Sequence, residues 1–257
     1  MVFDYTRKEL KSFLIVILVL TFIFGFNDGR EIFELGSWIE NLVKVFIIVA
    51  IGMFVHDLGH DLISSKAGFN SEFRVWGIKR LGFKEPSYPK TFRLFGKKFH
   101  MEALPIGIIL ALIVTFLSNG QLYWAAVSSF GLVTVKAHRL GRKFVETTDY
   151  EDAKIAIAGP MAMMFLAIIL KVLNGTGMFD KAIFIFSVII IYDMLPLPGL
   201  DGFHVLIGSK PLYAFGTAFI VSAVLLIHYL GGIFALLLAA LISLAVGISY
   251  FYFFVHK

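Results

Sequence analysis

His56 and His60 stand four positions apart, at the end of a long apolar run. On an α-helix that spacing puts both imidazoles on one face, one turn apart. Neutral imidazole is the commonest protein ligand for zinc, and a helical H-x-x-x-H pair is a zinc-binding spacing. A second cluster lies downstream, where Asp193, Pro196, Pro198, Asp201 and Gly202 fall at the end of another apolar run. Prolines remove backbone donors and break the helix, so carbonyls and a carboxylate there can point into a polar cavity. Asp201 then offers a third, oxygen ligand. Two histidines and one carboxylate leave a fourth position for water, the pattern of a catalytic zinc, whereas structural sites are closed by four protein ligands. Plainer readings stay open for each part. The histidines can be interfacial residues bonded to water or headgroups, and Asp201 can be a loop residue in a Pro-Gly turn.

The elements that carry these residues belong in a bilayer. Of 257 residues, 58% are hydrophobic and 16% charged, and the mean hydropathy is +0.84. That leaves too little polar surface to cover a soluble core of this size. The apolar residues come in runs long enough to cross hydrocarbon. Spans are expected at about 12–26, 37–63, 150–173, 180–195, 211–230 and 232–255. The fold class is therefore mainly α, a polytopic membrane protein with about six transmembrane helices. Thr147, Thr148, Asp149 and Glu151 suit the start of the third of these helices. One membrane-embedded domain, 1–257, is expected, with a core at 37–210 and an interfacial β-rich insertion at about 66–149.

That insertion differs in composition. Residues 66–103 hold nine Lys or Arg among Phe73, Trp76, Phe83, Phe92, Phe95 and Phe99, punctuated by Gly77, Gly82, Pro86, Pro89 and Gly96. The partial alternation suggests short strands at the membrane surface. Such a segment serves either as an interfacial apron anchored by aromatics and Arg, or as an edge on which a peptide is held extended. Residues 104–118 are apolar for only half to three-quarters of a span, and a basic cluster follows at Lys136, Arg139, Arg142 and Lys143. A full crossing at 104–118 would put that cluster outside, so the stretch is expected to dip or lie at the interface. With the N-terminus in the cytoplasm, His56, His60 and Asp201 all arrive near the cytoplasmic face of a multi-pass cell-membrane protein.

The net charge of +5 fits basic loops facing anionic lipid, and no nucleic-acid partner is expected. The chain has no cysteine, which excludes disulfides and thiolate metal sites. The first apolar run follows Arg7, Lys8 and Lys11 and leads into Asn27, Asp28 and Gly29 without a small-residue cleavage site, so it reads as a retained span.

His56-Asp57-Leu58-Gly59-His60 resembles the H-E-x-G-H signature of the site-2 proteases. Asp193 through Gly202 resembles that family's second signature, an Asn followed by prolines and Asp-Gly. Ala158-Gly159-Pro160 resembles its intervening A-G-P segment. Order and spacing fit over about 56–202. The resemblance implies a membrane-embedded enzyme that cleaves transmembrane helices, with one Zn2+ held by His56, His60 and Asp201. Two departures stand out. Asp57 replaces the Glu that serves as general base, shortening its reach by roughly 1.5 Å, one C–C bond. Asp193 replaces the Asn, whose amide both donates and accepts; Asp193 could contact substrate or help to bind metal. His204, three positions after Asp201, is a further candidate near the metal, either bonded to its ligands or as a fourth ligand.

Three functions fit these residues. The leading one is a zinc endopeptidase acting on transmembrane proteins or peptides. The second is a non-catalytic membrane binder on the same fold, suggested by Asp57 and Asp193. The third is a metal or ion carrier, against which stands the lack of a repeated half with matching broken helices.

Overall fold

A computed structural model describes residues 5–80, 87–94, 97–134 and 147–254. The basic cluster at 136–143, and Gly82, Phe83, Lys84, Pro86, Phe95 and Gly96 of the insertion, lie outside the described residues.

The chain opens with α1 (Arg7–Gly25), started by a capping box in which Thr6 and Glu9 satisfy each other's backbone N–H groups. It returns in α2 (Leu35–Ala67), a 33-residue helix stopped by Gly68 in the left-handed conformation. The insertion follows. β1 (Phe69–Val75) pairs antiparallel with the distant β4 (Ser128–Thr134), with Phe73 opposite Phe130. β2 (Lys90–Leu94) and β3 (Lys97–Met101) form a separate hairpin. Between hairpin and β4 lies α3 (Ile106–Leu117), whose 12 residues extend about 18 Å, short of a hydrocarbon core of about 30 Å.

The second helical half begins with α4 (Asp149–Leu173), set off by a Thr148–Glu151 capping box. α5 (Asp180–Asp193) ends before the Pro196–Pro198 break, and α6 (Asp201–Gly208) is a short helix directly after it. α7 (Lys210–Leu226) and α8 (Gly232–Phe254) close the bundle as a tightly packed pair.

Among the described residues, α2, α4 and α8 are long and apolar enough to cross a membrane. The spans expected at 12–26, 180–195 and 211–230 are helical as well, but α5 and α7 are shorter, and charged residues crowd the start of α1. Large apolar side chains face outward on most helices, among them Leu18, Ile47, Phe54, Leu237, Leu241 and Ile248. An exposed apolar surface of that extent is unfavourable in water and fits membrane association.

The core is built around α2, with α4 as its main packing partner and α5 against the same helix. Met53, Met163, Met164, Phe186, Ile189 and Ile190 are all almost fully buried there. Gly52 admits Phe186: a β-carbon at Gly52 would stand 2.4 Å from its ring. Alanine at 52 gains roughly 1 kcal/mol of helix propensity, but overpacking a tight core costs about 1–3 kcal/mol. Gly52→Ala should therefore lower the melting temperature in detergent, and Gly52→Ala combined with Phe186→Leu should recover most of the loss.

Candidate metal centre

α2 carries His56 and His60 inward, with ring centroids 4.7 Å apart. Both rings are buried, at 3% and 1% exposure. The second half of the site comes from the break between α5 and α6. Leu195 to Leu200 fold into two tight turns, with Leu197 N–H on the Leu195 carbonyl and Leu200 N–H on the Leu197 carbonyl. Gly199 takes φ +91°, a conformation that side chains rarely adopt. Trp76, just past β1, donates its indole N–H to the Pro198 carbonyl at 2.9 Å and so ties the break to the insertion. α6 then starts against the end of α5; a β-carbon at Gly202 would meet the Met194 carbonyl oxygen at 2.2 Å. Asp201 and Asp193 are thereby brought to the same buried point, at 3% and 2% exposure.

His56 Nε2 lies 3.1 Å from Asp201 Oδ2 and 3.2 Å from Asp193 Oδ2, and His60 Nε2 lies 3.3 Å from Asp201 Oδ2. These separations are short, yet none of the four atoms has a partner in hydrogen-bonding geometry among the described residues. Buried polar atoms without partners are rare, because each loses its water and gains nothing. Three of them form a group that could hold a metal ion, with Asp193 against His56. His56, His60 and Asp201 each offer one atom, all within 4.8 Å of one another.

The orientation of His60 is fixed from behind. Its Nδ1 lies 2.8 Å from the Ile155 carbonyl of α4. A carbonyl only accepts, so Nδ1 carries the hydrogen and Nε2 presents its lone pair to the centre. Phe130 of β4 stacks on the same ring at 4.6 Å. The ring also rests on α4, where a β-carbon at Gly159 would clash with His60 Nε2. Gly59 lets the helices approach this closely, since a β-carbon there would meet the Ala158 carbonyl oxygen at 2.5 Å.

The other sequence candidates separate. Asp193 joins the cluster on the His56 side. Asp57 is buried on α2, but its Oδ2 accepts a hydrogen bond from the Tyr5 hydroxyl at 2.7 Å. His204 turns from the cluster to α4, where its Nδ1 pairs with Asp152 Oδ2 at 2.7 Å. Burial alone would lower the His204 pKa; the bond and charge of Asp152 outweigh it and raise the pKa above the ordinary value. His204 is thus a tether between α6 and α4 beside Phe130. Tyr5 and Phe130 have no spacing signal in the sequence.

The donor set fits zinc. Two imidazole nitrogens and a carboxylate oxygen match its preferences, and a dication balances the charge of Asp193 and Asp201 where water is excluded. The chain is similar to a protein of Methanocaldococcus jannaschii named "Putative zinc metalloprotease", with 26% identity over 215 residues, 80% of this chain and 86% of the relative. No family model matches the chain, and no solved structure matches it.

Gly159→Ala should displace His60 and weaken zinc binding by about 10-fold or more, the scale of losing a group that orients a ligand. Competition against a chelator of known affinity reads this, with helical content by circular dichroism unchanged.

Proposed function

We propose that this chain is an intramembrane zinc endopeptidase of the site-2 protease type, cleaving transmembrane proteins or peptides near the cytoplasmic face. The observation that carries the reading is the buried convergence of His56 Nε2, His60 Nε2 and Asp201 Oδ2 between α2 and α6, close together yet outside hydrogen-bonding geometry. The relative's name supports the zinc metalloprotease class. The three membrane-length helices support a multi-pass chain, and the basic residues after α2 favour a cytoplasmic N-terminus.

His56, His60 and Asp201 would hold one Zn2+, with Asp193 beside them as a further carboxylate. Bound there, zinc supplies Lewis-acid polarisation of a peptide carbonyl and acidification of a water molecule. The chain's own residues do the rest. His60, fixed by Ile155 and Phe130, holds its lone pair toward the centre without rearrangement. Asp57 takes the proton that the attacking water loses and returns it to the nitrogen of the departing amine, so that the C–N bond breaks to a carboxylic acid and an amine. The surrounding apolar bundle excludes bulk water. The β1–β4 pair, whose Phe130 covers His60, offers an edge on which an unwound substrate can lie extended, since a helix hides its amides.

His60→Ala and Asp201→Ala should each purify without the zinc that the wild type retains. Asp57→Asn should keep its zinc and cleave a dye-quenched transmembrane peptide about 10²–10⁴-fold more slowly, the usual contribution of a positioned base. A zinc-loaded wild type that binds such peptides but cleaves none would instead mark a non-catalytic binder on the same fold.

A further inference from the structure

Contacts distant in sequence tie the N-terminal entrance of α1 to α2 and to the insertion. Thr6 N–H donates to Glu9 Oε2 at 2.7 Å and Glu9 N–H donates to Thr6 Oγ1, which sets the backbone one residue after Tyr5. Glu9 is buried, at 6% exposure. Lys8 reaches Glu102 at 2.7 Å. Phe13, two turns on from Tyr5, lies against the Tyr5 ring at 6.4 Å and packs edge-on to Phe73 of β1 at 5.0 Å. The Tyr5 side chain points toward α2. There its hydroxyl meets Asp57 Oδ2 at 2.7 Å, across 52 positions of sequence.

Asp57 and Asp61 stand one turn apart on α2, and each accepts a hydroxyl donor: Asp61 from Ser71 of β1, Asp57 from Tyr5. The two donors differ in kind. Ser71 is local to the turn that follows α2. Tyr5 comes from a different helix entrance and reaches a carboxylate adjacent to His56.

We propose that Tyr5 is a positioning residue for the Asp57 carboxylate: its hydroxyl holds Oδ2, fixing the side-chain rotation so that the second oxygen is presented to the attacking water. The proposal rests on the endopeptidase reading. Its physical reason is reach. An aspartate cannot extend as a glutamate does, so its one useful oxygen must be aimed, and misplacement by about 1 Å can cost on the order of 100-fold in rate. A donor to Oδ2 supplies the aim and also satisfies one acceptor of the buried carboxyl group. The Tyr5 hydroxyl keeps its proton, because burial and then the Asp57 carboxylate raise its pKa above the ordinary tyrosine value.

The test compares zinc-loaded wild type, Tyr5→Phe, Asp57→Glu and the double variant in detergent, with a dye-quenched single-span transmembrane peptide as probe. Tyr5→Phe should keep the wild-type zinc content and melting temperature. Its KM should stay within about twofold while kcat falls about 10-fold or more, the split expected when only transition-state geometry is lost. In the Asp57→Glu background the longer side chain carries its own reach, so removing the hydroxyl should cost less than about threefold. Equal fractional losses in both backgrounds would mean a merely structural tyrosine and overturn the proposal. So would loss of zinc or an unchanged kcat in Tyr5→Phe. A raised kcat would show Tyr5 to be an obstruction and overturn it too. If zinc-loaded wild type cleaves none of a panel of such peptides, the endopeptidase reading itself fails, and the proposal falls with it.

Discussion

Four side-chain atoms, His56 Nε2, His60 Nε2, Asp193 Oδ2 and Asp201 Oδ2, meet in the interior of an apolar helical bundle with no hydrogen-bond partner among the described residues. Each such group costs on the order of 1–3 kcal/mol when it is stripped of water and left unpaired. Two buried carboxylates add mutual repulsion. A fold does not assemble this arrangement by accident, because apolar residues of similar size would pack there at lower cost. A dication held by His56, His60 and Asp201 would offset much of that cost.

Much of the surrounding architecture holds His56, His60 and Asp201 together. α2 and α4 approach closely because Gly59 and Gly159 have no β-carbon to intrude. That approach lets the Ile155 carbonyl reach His60 Nδ1 and fixes the tautomer. The Pro196–Pro198 break ends α5 and restarts the chain as α6, with Gly202 tucked against Met194, so that Asp201 faces the histidines of α2. Trp76 and Phe130 extend the insertion onto the same point, one holding the break and the other covering His60. The centre is therefore shared between α2 and the α5–α6 break, with the β1–β4 pair packed against it.

The histidine pair and Asp201 were legible in the sequence because their chemistry is local: four-residue spacing fixes a helical face, and prolines fix a break. Long apolar runs likewise announced the helices, although three of the expected six are long and apolar enough on their own to cross a membrane. Other features depend on contacts distant in sequence. β1 pairs with β4 across more than fifty intervening residues at Phe73 and Phe130, and no periodicity in either strand names its partner. His204 shares the start of α6 with Asp201, yet Asp152 of α4 draws it away from the centre. The carboxylate of Asp57 is read from its place between the histidines, while the tyrosine that holds it lies before the first helix. Gly159 was visible within Ala158-Gly159-Pro160, but its reason is the His60 ring that rests on it.

The most direct test of the central claim is X-ray absorption at the zinc K-edge on the chain purified in detergent. Zinc held by His56, His60 and Asp201 should give a nearest shell of about four nitrogen and oxygen neighbours near 2.0–2.1 Å, with outer scattering from two imidazoles and no sulfur. A zinc edge without imidazole scattering, or no zinc in the preparation after supplementation, would contradict it.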